Sequence, residues 1–172
     1  SRFYKEFSGH GCNALRQEKA HIHSAQPSPD GSRLLAADLG TDRLYQFVIN
    51  SQTGLELDEQ QPWFQGGPGQ GPRHFAFHPN GKWLYLVTEL DRSLLVFRYQ
   101  NNRLDQVGEY SLREKDDPES SLADGRFVAV ANQEPGTLVI FPRKEESGLL
   151  GSALCSADVP DVSCVKWEDC PF

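Results

Sequence analysis

Hydrophobic residues in this chain fall in short runs and not at helical spacing. Three runs, "RLLAA" (33–37), "WLYLV" (83–87) and "FVAVA" (127–131), are each followed by a polar stretch: "DLGTD", "TELDR" and "NQEPG". A second apolar run follows each of these: "RLYQFVI", "SLLVFRY" and "TLVIF". Short apolar runs rich in β-branched and aromatic residues, bounded by turn formers, predict buried strands joined by tight turns. No segment shows a convincing helical period.

The same strands expose an internal repeat. "DGSRLLAADLGTDRLYQF", "NGKWLYLVTELDRSLLVF" and "DGRFVAVANQEPGTLVIF" superimpose without gaps, each opening on Asp-Gly or Asn-Gly. A leucine follows at a fixed distance from that glycine (Leu44, Leu94, Leu138), and then a phenylalanine (Phe47, Phe97, Phe141). An Asx-Gly pair tolerates positive φ and closes a hairpin. Upstream, "AHIHSAQ" and "RHFAFH" predict a first strand in two of the units. Downstream, "QTGLELDEQ", "NNRLDQVGEY" and "ESGLLGSAL" predict a fourth strand in all three. The turn glycines Gly31, Gly81 and Gly125 lie 50 and 44 residues apart. Four antiparallel strands at that spacing is the arithmetic of a β-propeller blade, and an ungapped repeat favours a propeller over a sandwich.

The chain is therefore read as one partial, all-β propeller domain with units at about 21–65, 72–113 and 122–160. "SCVKW" reads as a ring-closing strand at about 162–168. The third unit lacks an evident first strand, because "DDPESS" (116–121) reads as a turn or loop. About three blades leave sheet faces and an edge uncovered. This predicts either a piece of a larger ring or copies that associate with one another. A start at Ser1 and the absence of Met fit a piece of something longer.

Charge and composition narrow the partners. The 172 residues carry a net charge of −7, which disfavours phosphate backbones and hence nucleic acid. No apolar run is long enough to cross a bilayer as a helix, and no secretory h-region is visible, so a cytoplasmic protein is expected. The cysteines, Cys12, Cys155, Cys164 and Cys170, match no zinc spacing and read as reduced thiols, with a Cys155–Cys164 or Cys164–Cys170 disulfide as the alternative.

"GHGCNALRQEKAHIHSAQPSPDGSRLLAADLGTDRLYQF" resembles the lactonase family of seven-bladed propellers of the 6-phosphogluconolactonase type, on its Arg-Gln-Glu, His-x-His-Ser and Asp-Leu-Gly-x-Asp-Arg runs. "GPGQGPRHFAFHPNGKWLYLVTEL" resembles the family's next blade, with Gly-Pro-Arg-His and a Glu-Leu turn; "DGRFVAVANQ" and "VSCVKW" resemble its last blade and closing strand. The resemblance implies a ring of roughly twice this length. It also implies that blades are missing before Ser1 and between "DDPESS" and "LADGRF", the latter removing a strand on which the family carries another arginine near its pocket.

Candidate chemistry sits at strand ends. His23 and Arg73 each lie eight residues before a turn glycine, and Glu89 lies eight after Gly81. Equivalent ends of inner strands converge on one mouth of a propeller channel, so these three residues are the expected catalytic set. Arginine offers a planar fork for an oxyanion, and Glu or His can move a proton. The resemblance implies the same three positions, through related muconate-lactonising propellers. His21 and His74 are candidate substrate contacts, although alternation puts His74 on the opposite side of its strand from Arg73. His78, before Pro79, is expected to be exposed. "GGPGQGP" (66–72) reads as a flexible inter-blade connection, since it lacks the Lys-Ser/Thr of a phosphate loop. No metal or cofactor is expected. The resemblance implies hydrolysis of a sugar lactone, 6-phosphogluconolactone, within carbohydrate metabolism and the pentose phosphate pathway. A muconate cycloisomerase-like lyase and an inactive interaction scaffold are the alternatives.

Overall fold

The structure is a computed structural model that describes residues 5–111, 118–123, 126–132 and 137–159, with 118–123, 132 and 137 described as backbone. Its strands form three antiparallel sheets. The first contains β1 (Ile22–Pro27), β2 (Arg33–Asp38), β3 (Arg43–Asn50) and β4 (Gly54–Leu57), with β5 (Trp63–Gln65) also pairing β3. The second runs β6 (Pro72–Phe77), β7 (Trp83–Thr88), β8 (Ser93–Gln100) and β9 (Arg103–Ser111). The third runs β10 (Pro118–Ala123), β11 (Phe127–Asn132), β12 (Thr137–Pro142) and β13 (Cys155–Asp158).

Two strand assignments differ from the sequence reading. "DDPESS" is not a loop throughout: Pro118–Ala123 is the first strand of the third sheet, paired to β11. Its polar composition hides it, because an inner strand needs a ladder partner more than apolar side chains. The fourth strand of that sheet is Cys155–Asp158 and not the Leu-bearing segment before it. That segment turns at 145–147 and makes a single bridge, Arg143 to Leu150. The expected closing strand at 162–168 lies outside the described residues, as does the third Asx-Gly pair.

The two described Asx-Gly turns use their residues differently from a two-residue hairpin. Gly31 and Gly81 each take φ +70°, while Asp30 and Asn80 stay at negative φ. The Gly31 and Gly81 amides donate to Ser28 and His78 carbonyls, both at 2.8 Å. With Pro29 and Pro79 second in the turn, this is a type I turn ending on a left-handed glycine. A hairpin with two positive-φ residues occurs elsewhere, at Asn101 (52°) and Asn102 (59°) between β8 and β9.

Alternation distributes the strands' side chains between two cores. Leu35, Ala37 and Leu44 from the first sheet pack with Phe75, Leu84, Leu86, Leu95 and Phe97 from the second. The intervening positions Trp83, Tyr85, Val87, Leu94 and Val96 face the third sheet, where they meet Val128 and Val130. The second sheet is thus buried on both faces, which explains why β7 is apolar without interruption until Thr88. Each fully buried Leu or Phe stabilises the fold by roughly 1.5–3 kcal/mol relative to exposure. Among the described elements, the close backbone approaches between sheets run through β1, β2 and β6, and then through β6, β7 and β10. The sheets therefore come together along their inner strands, as blades do.

Candidate active site

All three inner strands carry an irregularity at the same place. The register slips by one residue after Ile22, after Pro72 and after Pro118, opposite Asp38, Thr88 and Asn132. Such a bulge re-aims side chains near the end of a strand. The residues that follow these three positions are His23, Arg73 and Glu119. The first two are the candidates read from the sequence. Glu119, read there as part of a solvated loop, holds the equivalent register position on β10.

Arg73 is the hub. Its Nε donates to His23 Nε2 at 3.2 Å and lies 3.2 Å from Glu89 Oε2. The other oxygen of Glu89 pairs with the Arg16 guanidinium. Glu89 sits in the turn between β7 and β8, where its amide donates to the Gly71 carbonyl at 2.8 Å. The inner strands are pinned to each other directly below: Ser24 Oγ donates to the Arg73 carbonyl at 2.7 Å, and Gln26 Nε2 to the Phe75 carbonyl at 2.9 Å.

The histidines divide. His74, expected on the far side of its strand, has its ring edge-to-face on His23 with centroids 5.1 Å apart. The bulge between Pro72 and Phe75 breaks the strict alternation on which that expectation rested. His21 instead turns to Glu18, with Nε2 3.0 Å from Oε1. His78 is buried, against the sequence expectation, and its Nδ1 accepts the Asn80 amide at 3.0 Å inside the turn.

Electrostatics fix the state of His23. Crowding by neighbouring groups removes water from its half-open ring, and the positive charge of Arg73 and then His74 add to that; Glu89 opposes them. The result is a pKa below the ordinary histidine value of 6.5, so the imidazole is neutral at pH 7. A neutral Nε2 with a free lone pair is what the Arg73 Nε–H bond requires.

A buried polar anchor, absent from the sequence reading, positions these groups. Asp42 takes φ 55° and is buried. Its carboxylate accepts from Gln17 Nε2 at 2.7 Å, Gly71 N at 2.8 Å and Gly69 N at 2.9 Å, and its carbonyl accepts from Gly66 N at 2.7 Å. Gln17, wholly buried, also donates to the Leu39 carbonyl at 2.8 Å. One aspartate thus ties the Arg16–Glu18 segment and the glycine-rich 66–71 connection to the turn after β2. The connection is tied down at several points, and it delivers Arg73 directly. The only advance signal was that "RQE" and "DLGTD" stood out as motifs with no assigned chemistry. Among the described residues, no group of three His, Cys, Asp or Glu is placed to hold a metal ion.

Paired blades with a charged cluster at the inner strand ends define a propeller with a mouth site, and comparison with known proteins gives the family. The family model described as lactonase, 7-bladed beta-propeller, matches residues 2–124 and 120–167. The chain belongs to that family. A Formosa agariphila protein named 6-phosphogluconolactonase is 31% identical over 153 residues, covering 84% of this chain and 43% of that protein. A Bacillus subtilis protein of the same name is 33% identical over 144 residues, covering 78% and 40%. The chain therefore spans about two fifths of the length of these relatives. Among solved structures, the Pseudomonas aeruginosa periplasmic gluconolactonase superposes with a TM-score of 0.59 at 26% identity, covering 90% of this chain and 59% of its own. A Bacteroides fragilis protein does so with a TM-score of 0.66, also at 26% identity, covering 95% and 62%. The two matched segments of the family model meet at residues 120–124, within β10.

Proposed function

We propose that this protein opens a sugar lactone by hydrolysis, with 6-phosphogluconolactone as its first candidate substrate. The observation that carries the reading is the meeting of His23, Arg73 and Glu89, from three separate elements, around a single guanidinium nitrogen. The names of the Formosa and Bacillus relatives support the substrate class.

The chemistry needs two functions. Water adds to the lactone carbonyl carbon, and negative charge gathers on the carbonyl oxygen, where the Arg73 guanidinium stabilises it. The carboxylate of Glu89, with the neutral His23 beside it, takes the proton that water loses. When the ring C–O bond breaks, that proton passes to the departing ring oxygen, leaving a hydroxy acid that ionises to its carboxylate. No redox partner is consumed.

The purified chain should accelerate the opening of 6-phosphogluconolactone above the rate in buffer, followed by acid release at constant pH. Arg73→Ala should lower the rate by about a hundredfold or more, the scale of losing one oxyanion donor. A chain that adds nothing to the buffer rate, or an Arg73→Ala variant as fast as its parent, overturns the reading and leaves an interaction scaffold.

A further inference from the structure

We infer that Arg16 selects charged over neutral substrates by binding an anionic substituent carried outside the lactone ring. The inference rests on the lactone reading above and adds to it a residue that does not come from any blade strand.

The cluster has an unbalanced charge. Glu89 is held between two guanidinium groups, Arg73 on one oxygen and Arg16 on the other. With His23 neutral, two positive charges face one negative charge, in a protein whose net charge is −7. A local positive excess on an acidic chain draws anions to that one place. The two arginines are not equivalent. The Arg73 side chain is 15% exposed and held among the inner strands, whereas that of Arg16 is 54% exposed. Arg16 can therefore keep one N–H on Glu89 and offer the rest of its fork to an incoming oxyanion, for which guanidinium geometry is suited.

Its backbone is prepared for that role. The Arg16 amide donates to the carbonyl and side-chain oxygens of Asn13, both at 3.2 Å. Gln17 beside it is wholly buried, with its amide on the Asn13 carbonyl at 2.7 Å and its side chain on Asp42. An exposed guanidinium on a fixed backbone binds an anion without ordering a loop at that moment, which keeps the entropic cost of recognition small.

The test compares kcat/KM for three lactones: 6-phosphogluconolactone, the carboxylate-bearing glucaro-1,4-lactone, and neutral gluconolactone. In Arg16→Gln, the preference for a charged lactone over gluconolactone should fall about tenfold to a hundredfold, the value of one or two charged hydrogen bonds, and should do so through KM. Arg16→Lys should recover part of it. The charged lactone that loses more identifies phosphate or carboxylate as the natural group. A preference that stays within twofold of the parent overturns the inference and makes Arg16 a positioning residue for Glu89. Should the parent open none of the three, the lactone reading fails by itself. Inorganic phosphate titrated against the His23 ring proton resonances then decides about Arg16: weaker binding in Arg16→Gln supports its anion role, and equal binding rejects it.

Discussion

The two ends of the inner hairpins are built on opposite plans. At the Asx-Gly end, the bonds are local: Ser28 Oγ to Asp30 and Lys82 N to Asn80 each span two residues, and Ser28 to the Arg33 carbonyl spans five. At the mouth end they are long-range: Gln17 to Asp42 spans 25 residues, Gly71 to Asp42 spans 29, and Arg73 to His23 spans 50. One end closes each hairpin, and the other fastens sheets together and holds the chemistry. Stability at the first end is a property of a few neighbouring residues, whereas geometry at the second is a property of the assembled fold.

Glycine substitutions should separate the two plans most sharply. A Cβ on Gly40, at the mouth end, would stand 1.9 Å from the Lys19 carbonyl oxygen and 2.9 Å from the His21 amide. That backbone cannot yield without moving the segment that carries Arg16, so Gly40→Ala should destabilise by about 3 kcal/mol or more. At Gly31, on the local end, a Cβ would meet nothing within 4 Å, and only the φ of +70° is unfavourable. Gly31→Ala should therefore lose about 1 kcal/mol and leave lactone opening untouched. Urea unfolding measures both, and equal losses would erase the distinction drawn here. Asp42→Asn falls between them. Asparagine keeps the tolerance of a left-handed backbone, but its amide nitrogen cannot accept from Gly69, Gly71 or Gln17. A loss of about 2 kcal/mol is expected by the same measurement, with activity reduced in the folded fraction because Arg73 and Arg16 lose their shared anchor.

What the sequence reveals follows the same division. The hairpins, the blade spacing and the positions of His23 and Arg73 could be read because each is fixed by a short, constant offset from a turn glycine. Glu89 was legible for that reason too. Arg16, Gln17 and Asp42 were not, since nothing local says that the segment carrying "RQE" folds back onto the turn after β2. β10 escaped notice because a polar strand with a proline shows its nature only through the register it shares with β11. His74 and His78 were misjudged through rules that hold for unbroken strands and exposed turns. The bulge after Pro72 and the buried type I turn at His78 set those rules aside.

The acid-base state of His23 has a stability consequence with a definite sign. Its folded pKa lies below 6.5, so as pH falls through 6.5 the unfolded chain takes up a proton before the folded one does. Stability should therefore decline from pH 6.5 down to the depressed value and then level off. His23→Gln should flatten that segment of the profile.

The most direct measurement is the His23 ring titration followed by NMR, in the parent and in Arg73→Gln. The central claim is that two inner strand ends, 50 residues apart in sequence, meet in one charged mouth. It predicts a His23 pKa below the ordinary histidine value in the parent, and a rise toward that value once the Arg73 charge is gone. A His23 that titrates at its ordinary value and does not respond to Arg73→Gln would contradict it.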